Sequence, residues 1–155
     1  MNASPNPLKF IGPKQIVSSI DSNKVLDIEA GSYNERAKLQ IWDNNKTLNK
    51  KFFIEKIGYS EFIIRAAHSN LVLGVEGGPL DISDAPICDT RRVIQLSQNN
   101  GNNQKWILED AENGFFFIRN TLGWYLDVYR GSVTNGNAIN IHPFNGTTAQ
   151  QFKII

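Results

Sequence analysis

The chain has 155 residues, of which 41% are hydrophobic and 20% charged, as expected of one globular domain that buries its own core. Its formal net charge of +1 and the lack of any basic stretch interleaved with aromatic residues exclude the usual modes of nucleic-acid binding. It contains no apolar run of the roughly eighteen residues that membrane insertion requires. We therefore expect a globular protein whose partner is neither nucleic acid nor a membrane interior.

Cysteine and histidine are scarce. The single cysteine, Cys88, rules out an intrachain disulfide and mildly favours a reducing compartment. Residues 1–20 show no recognisable signal peptide, so we expect a cytoplasmic location, or secretion without a visible signal peptide. Neither His68 nor His142 has a recognisable catalytic context with Cys88, and these three residues do not make a zinc site. We predict no catalytic residues, no metal and no cofactor.

In chain order, the apolar residues form short, strand-like runs separated by clusters of Gly, Asn, Asp and Ser. No segment shows the i, i+3, i+4, i+7 spacing of an amphipathic helix. The chain is therefore predicted to be all-β, with twelve strands at 15–20, 25–29, 38–42, 51–57, 62–67, 71–75, 93–97, 105–109, 115–119, 125–129, 138–142 and 151–155.

The sequence repeats. A shift of 100 residues places VLDIEAGS at 25–32 on YLDVYRGS at 125–132 without a gap, and about half that shift brings in a middle copy. We predict three repeats of four strands, at about 15–60, 61–114 and 115–155, preceded by an N-terminal extension or linker over 1–14. Twelve strands in three pseudo-threefold repeats is the strand count of a β-trefoil, in which closure of a barrel removes exposed sheet edges.

Each repeat carries LDI, LDV or a relative, then Gly, then IQI, INI or IQL, and then Q-x-W or a softened version of it. The Q-x-W is complete at 104–106 and becomes K-x-F at 50–52 and Q-x-F at 150–152. From about residue 15 to 155 this pattern resembles the ricin B-type lectins, also called family 13 carbohydrate-binding modules. The resemblance implies a β-trefoil that binds sugar, with the aromatic residues Phe52, Trp106 and Phe152 in its core.

In lectins of this family a sugar site uses an aspartate, an aromatic platform and an asparagine from one repeat. A carboxylate accepts hydrogen bonds from neighbouring hydroxyls, an amide donates and accepts, and a flat ring covers the apolar face of a pyranose. In the first repeat the resemblance implies a site of five residues: Asp27, Trp42 and Asn49, with Gln40 in support and Lys50 where the family usually has Gln.

The third repeat matches this pattern less well, because its platform is a histidine and the asparagine position is Ala149. The resemblance implies a second site there, with Gln150 or Asn145 supplying the missing amide, unless this repeat has lost binding and serves only the fold. The predicted binding residues of this repeat are Asp127, Asn140, His142 and Gln150. The middle repeat has Gly74 at the aspartate position, Ser97 at the platform position and Asn103, and is predicted to be structural.

The predicted function is a non-catalytic lectin for galactose-type sugars (galactose, lactose or N-acetylgalactosamine) on glycans or glycoproteins, able to act as a hemagglutinin if it has several sites. The chain is also compatible with a homo-oligomer, or with attachment to a larger toxin or glycosidase. The alternative is a trefoil without sugar binding that acts as a protease inhibitor or protein-docking domain. The insert at 77–92, with Arg91 and Arg92, would then be the effector loop.

Overall fold

The computed structural model describes residues 10–81 and 91–155. Within them the chain forms twelve strands, and the predicted all-β trefoil of three four-stranded repeats is confirmed. The strands are β1 (Ile16–Ser18), β2 (Lys24–Ile28), β3 (Leu39–Asp43), β4 (Phe52–Lys56), β5 (Glu61–Ala66), β6 (Val72–Val75), β7 (Val93–Leu96), β8 (Trp106–Asp110), β9 (Phe115–Arg119), β10 (Trp124–Val128), β11 (Ile139–Pro143) and β12 (Phe152–Ile154).

Six strands form a closed ring. In antiparallel order β1 pairs with β12, β12 with β9, β9 with β8, β8 with β5 and β5 with β4. Lys14 and Phe52 close the ring by exchanging two backbone hydrogen bonds, each of 2.8 Å. The barrel therefore leaves no free edge among these strands.

The other six strands form three hairpins, β2–β3, β6–β7 and β10–β11, which cap one end of the barrel. Isolated bridges join each hairpin to the next, between Lys38 and Ile94, Gln40 and Ala138, and Arg92 and Asn140. These three bridges relate the hairpins by a pseudo-threefold axis. The candidate site residues of β3 and β11 lie on these hairpins.

The predicted core aromatics are confirmed: Phe52, Trp106 and Phe152 are fully buried, one from each repeat. The Trp106 indole N–H donates to the backbone carbonyl of Leu73 at 3.0 Å, so its one polar atom is satisfied inside the core. Phe10, which precedes the predicted start of the trefoil at residue 15, is also buried. The described residues contain no helix long and apolar enough to cross a membrane.

Candidate functional site

The first candidate site is built around Asp27, which is only 2% exposed. Its Oδ1 accepts a hydrogen bond from Gln40 Nε2 at 2.8 Å. Its Oδ2 accepts from Asn49 Nδ2 at 2.9 Å and pairs with Lys50 Nζ at 2.7 Å. The carboxylate is thus held by an amide from the opposite strand and by two residues of the turn before β4.

That turn is a short 3₁₀ segment, Leu48–Lys50, and it sets the direction of both side chains. Asn49 Nδ2 also donates to the carbonyl of Ile28 at 3.1 Å, and its Oδ1 accepts from the Thr47 hydroxyl at 2.6 Å. Lys50 Nζ reaches the same hydroxyl at 3.2 Å. Each polar group of the turn is therefore fixed by a second contact, which preorganises the amide and the ammonium beside the carboxylate.

The aromatic platform of this site is Trp42, whose residue surface is 37% exposed. Asp27 lies opposite Gln40, and Trp42 lies opposite Val25 in the β2–β3 hairpin, so alternation puts Asp27, Gln40 and Trp42 on the same face of the hairpin. Gly136 of the third repeat lies beside this ring, because a Cβ there would lie 3.8 Å from Trp42 Cζ3. The pocket has a volume of about 130 Å³ and is lined by Asp27, Ala30, Gln40, Trp42, Asn49 and Lys50. The five residues predicted in the first repeat therefore meet in one place.

The second candidate site has Asp127 at the position of Asp27. Asp127 is 8% exposed, lies opposite Asn140 in the β10–β11 hairpin, and accepts a hydrogen bond on Oδ2 from Gln150 Nε2 at 2.9 Å. Its Oδ1 accepts no hydrogen bond from the residues that the structure describes. Burial raises the pKa of this carboxyl, and the Gln150 hydrogen bond and His142 oppose the rise without cancelling it.

The pocket over Asp127 is larger, with a volume of about 550 Å³. Ala149 stands where the first repeat has Asn49, and His142 where it has Trp42, so two smaller side chains leave more space. Gln150 is fully buried, and its Nε2 also reaches the carbonyl of Pro143 at 2.9 Å, so it supports Asp127 from behind. Asn145 lines the pocket, and Asn140 and His142 line it as predicted.

Several residues of this pocket escaped prediction, and Tyr129 and Arg130 are the largest of them. Tyr129 and Arg130 form its wall in the turn after β10, with the Arg130 guanidinium 5.2 Å from the centre of the Tyr129 ring. The gapless shift of 100 residues places them on Glu29 and Ala30. An aromatic ring replacing a carboxylate at that position is a signal readable from the sequence, but the family pattern of aspartate, ring and asparagine does not include this position.

The middle repeat has no carboxylate at this place and no room for one. A Cβ added to Gly74 would lie 3.1 Å from both Gln104 Cγ and Leu96 Cδ1, closer than ordinary contact allows. Leu96 lies opposite Val72 as Trp42 lies opposite Val25 and His142 opposite Tyr125. The platform position of this repeat is therefore Leu96, and its assignment to Ser97 is wrong by one residue.

The platform position was misassigned because the recurring IQ pattern places Gln95 on Gln40. The strand pairing instead places Ile94 at the position of Gln40. In the structure Gln95 is fully buried, and its Nε2 donates to the carbonyls of Ser32 and Asn34, each at 2.8 Å. It hydrogen-bonds the second repeat to the first and lines neither of the two pockets. Asn103 is likewise buried, with its amide donating to the carbonyl of Val75 at 3.3 Å.

Two other predictions concern the lack of a metal site and the insert at 77–92. Within 10–81 and 91–155, no three side chains of His, Cys, Asp or Glu lie close enough to hold a metal ion. Most of the insert at 77–92, including Cys88, lies outside the described residues. The chemistry that the two pockets offer is hydrogen bonding to a buried carboxylate beside a flat ring.

The same pattern is found in known proteins. A family model described as a ricin-type β-trefoil lectin domain-like family matches residues 14–87, 77–141 and 102–155. The chain belongs to this family. Its three overlapping matches together span residues 14–155, and membership of this family gives the chain a carbohydrate-binding lectin fold. No curated protein matches the sequence significantly.

Solved structures show the same fold. The designed threefold-symmetric protein ThreeFoil is 25% identical with a TM-score of 0.84, over 92% of this chain and 97% of its own. An exo-β-1,3-galactanase from Clostridium thermocellum is 24% identical with a TM-score of 0.83, and the match covers 99% of this chain but 31% of the enzyme. The Macrolepiota procera ricin B-like lectin, solved with lactose, is 18% identical with a TM-score of 0.72, over 92% and 94%.

Proposed function

We propose that the chain is a non-catalytic lectin that binds galactose-type sugars, such as galactose, lactose or N-acetylgalactosamine, in the pockets of its first and third repeats. The observation that carries this proposal is the shared arrangement of the two pockets. In each, a nearly fully buried aspartate of β2 or β10 lies at the floor, two residue pairs along the hairpin from an aromatic ring of β3 or β11. A carboxylate below a flat ring suits a pyranose with hydroxyls on one edge and an apolar face.

In the first pocket most of the carboxylate is already occupied. An ionised carboxylate has about four acceptor positions, and Asp27 uses three of them for Gln40, Asn49 and Lys50. One position remains for a sugar hydroxyl, while Trp42 supplies the stacking surface. A small pocket with one ring and few hydrogen bonds is expected to bind a monosaccharide with a Kd on the order of 1 mM.

The pocket of the third repeat has a smaller ring but a carboxylate with more free acceptor positions. The ring of His142 is a smaller platform than Trp42, but among the described residues only Gln150 donates a hydrogen bond to Asp127, so more of its acceptor positions are left for a ligand. The larger volume of about 550 Å³ also admits more than one sugar ring. We therefore assign the third repeat a working site of its own, in addition to the site of the first repeat.

The proposal is tested with a glycan array and titration calorimetry on wild type, Trp42→Ala, Asp127→Ala and the double variant. Each single variant should keep binding galactosides at the other pocket, with the stoichiometry falling from two sites to one. The double variant should bind none. Tyr59→Ala is the matched control, because this tyrosine is 88% exposed and lies in neither pocket.

Two results would contradict the proposal. Galactoside binding by the double variant equal to that of wild type would show that the pockets are misassigned. If no glycan is bound by wild type but a protease is inhibited, and the inhibition is lost when the 77–92 loop is replaced, the alternative of a loop-borne inhibitor is correct.

Sugar binding at the third repeat should depend on pH. Only the ionised carboxylate of Asp127 accepts hydrogen bonds with both oxygens, and its pKa is raised by burial. Affinity is therefore present above the raised pKa and lost as the pH falls through it, which begins at a higher pH than for an aspartate of ordinary pKa, about 3.9. Calorimetric titration of Trp42→Ala with galactose from about pH 8 to 4 measures this loss.

Two variants made in the same Trp42→Ala background identify the group whose titration causes the loss of affinity. Asp127→Asn should flatten the profile in the acidic range, because the amide does not titrate. His142→Gln removes the imidazole, which also faces this pocket, and should leave the acidic loss in place. An unchanged acidic loss in Asp127→Asn would show that another group is responsible.

A further inference from the structure

The two proposed pockets differ in charge, and the difference centres on Arg130. This residue lines the pocket of the third repeat together with Tyr129, Asp127 and His142. The equivalent residue in the first repeat is Ala30, which lines the smaller pocket. The third repeat therefore carries a guanidinium where the first carries a methyl group.

The backbone at this place directs the side chain. Ala30 and Arg130 have the same left-handed conformation, with φ of 54° in both and ψ of 19° and 20°. Glycine adopts this conformation most readily, and a long side chain there is uncommon. Because the turn is the same in both repeats, the arginine is a difference of side chain alone, presented over the pocket by a fixed turn.

The charge of Arg130 is not neutralised within the described part of the chain. Arg65, Arg92 and Arg119 each pair with a glutamate, at 2.7, 3.0 and 3.0 Å. Arg130 forms no ion pair with a described residue, and its contact is with the ring of Tyr129 at 5.2 Å. The exposed guanidinium thus keeps its hydrogen-bond donors available at the mouth of the pocket.

In the first repeat the cation near the pocket is Lys50, and it forms a buried ion pair. Lys50 is buried and pairs with Asp27 at 2.7 Å, so its charge is neutralised inside the protein. In the third repeat the corresponding residue is the neutral Gln150, and the cation is instead the exposed Arg130, which lines the same pocket as Asp127. A ligand therefore meets a neutral pocket in the first repeat, and in the third a carboxylate at the floor with a cation at the rim.

We propose that the pocket of the third repeat prefers acidic saccharides, in which a galactose-type ring is substituted by a sulfate group or by a second sugar that bears a carboxylate, and this anionic group pairs with Arg130. This inference rests on the proposed lectin function and deepens it. Asp127 accepts the hydroxyls at the floor, and the anionic group stays at the rim, away from that carboxylate. Guanidinium groups bind planar carboxylates and sulfates through paired, charge-assisted hydrogen bonds.

The test compares three ligands on the Trp42→Ala protein, in which the first repeat is silenced: lactose, sialyllactose and sulfated lactose. Calorimetry at low salt should show one or both acidic ligands binding about tenfold more tightly than lactose. Adding Arg130→Ala should abolish this preference, with a much smaller effect on lactose. The preference should also shrink as salt is raised, because the contact is at the exposed rim.

Two further variants sharpen the test. Arg36→Ala is the matched control, because Arg36 is an exposed arginine with a left-handed backbone, φ 74°, that lines neither pocket, and its loss should change none of the affinities. Ala30→Arg in an Asp127→Ala background should give the first pocket a preference for the acidic ligands, because the turn is the same.

The outcomes separate the two proposals. A preference confined to the carboxylate ligand or to the sulfate ligand supports the inference and identifies the group that Arg130 binds. Equal affinity for lactose and both acidic ligands, or a preference that survives Arg130→Ala, overturns it while the lectin function stands. If none of the three ligands binds to wild type or to any variant, the proposed lectin function fails, and this inference fails with it.

Discussion

Replacing Lys50 by methionine should destabilise the fold by about 3–5 kcal/mol, because the ammonium is the charged partner of a nearly buried carboxylate. Asp27 and Lys50 are 2% and 3% exposed, and their charged atoms lie 2.7 Å apart. Methionine fills a similar volume but leaves Asp27 with two amide donors and no cation. Urea unfolding at neutral pH measures the change in the free energy of unfolding.

Two comparisons identify the cause. Lys50→Gln should lose only about 1–2 kcal/mol, because an amide at this position can hydrogen-bond the carboxylate, as Gln150 does to Asp127 at 2.9 Å. Adding Asp27→Asn to Lys50→Met should recover part of the lost stability, since it removes the unpaired charge. A loss below about 1 kcal/mol for Lys50→Met would mean that the carboxylate does not depend on this partner.

Trp106→Ala should have a comparable effect, about 3–5 kcal/mol, from the cavity that it opens in the core. The side chain is fully buried, and the substitution also removes the hydrogen bond from its indole N–H to the carbonyl of Leu73. We expect a lower midpoint in urea unfolding with an unchanged slope. Galactoside binding should be retained by the fraction that remains folded, because Trp106 lines neither pocket.

Trp106→Phe provides the matched variant, because Phe52 and Phe152 occupy the equivalent positions of the other repeats. It should cost less than the alanine variant, since most of the apolar volume is kept and the lost hydrogen bond is worth about 1 kcal/mol. Equal losses in the phenylalanine and alanine variants would show that the hydrogen bond, and not the packing, dominates at this position.

The fold could be predicted from the sequence because the three structural repeats are visible as repeats of the amino-acid sequence. The gapless shift of 100 residues aligns strands β2 and β10, and the short apolar runs between polar clusters correspond to all twelve strands. The core aromatics followed from their recurrence at one place in each repeat. The repeat did not reveal the backbone register of the β6–β7 hairpin. There the buried amide of Gln95 donates hydrogen bonds to the carbonyls of Ser32 and Asn34.

The candidate site was predictable to the extent that it follows the motif. Asp27, Trp42 and Asn49 meet in one pocket because their spacing fixes their hairpin and turn positions. The depth of each group was not predictable, since the burial of Lys50 and the raised pKa of Asp127 depend on packing between elements. Arg130 was missed because its position at the pocket depends on a backbone turn, and because its lack of an ion-pair partner among the described residues is visible only in the structure.

The bridges between hairpins have a consequence for how such a protein would engage a cell surface. Gln40 is joined to Ala138 and Asn140 to Arg92, so the floor of each pocket is fastened to the neighbouring repeat. The first and third repeats are related by a third of a turn about the pseudo-threefold axis, so we expect their pockets to open towards different sides of the barrel. In the proposed lectin, the two arms of one short branched glycan should then not fill both pockets. Each chain would instead crosslink separate glycoproteins, and its avidity would follow the density of glycans on the surface more than their branching.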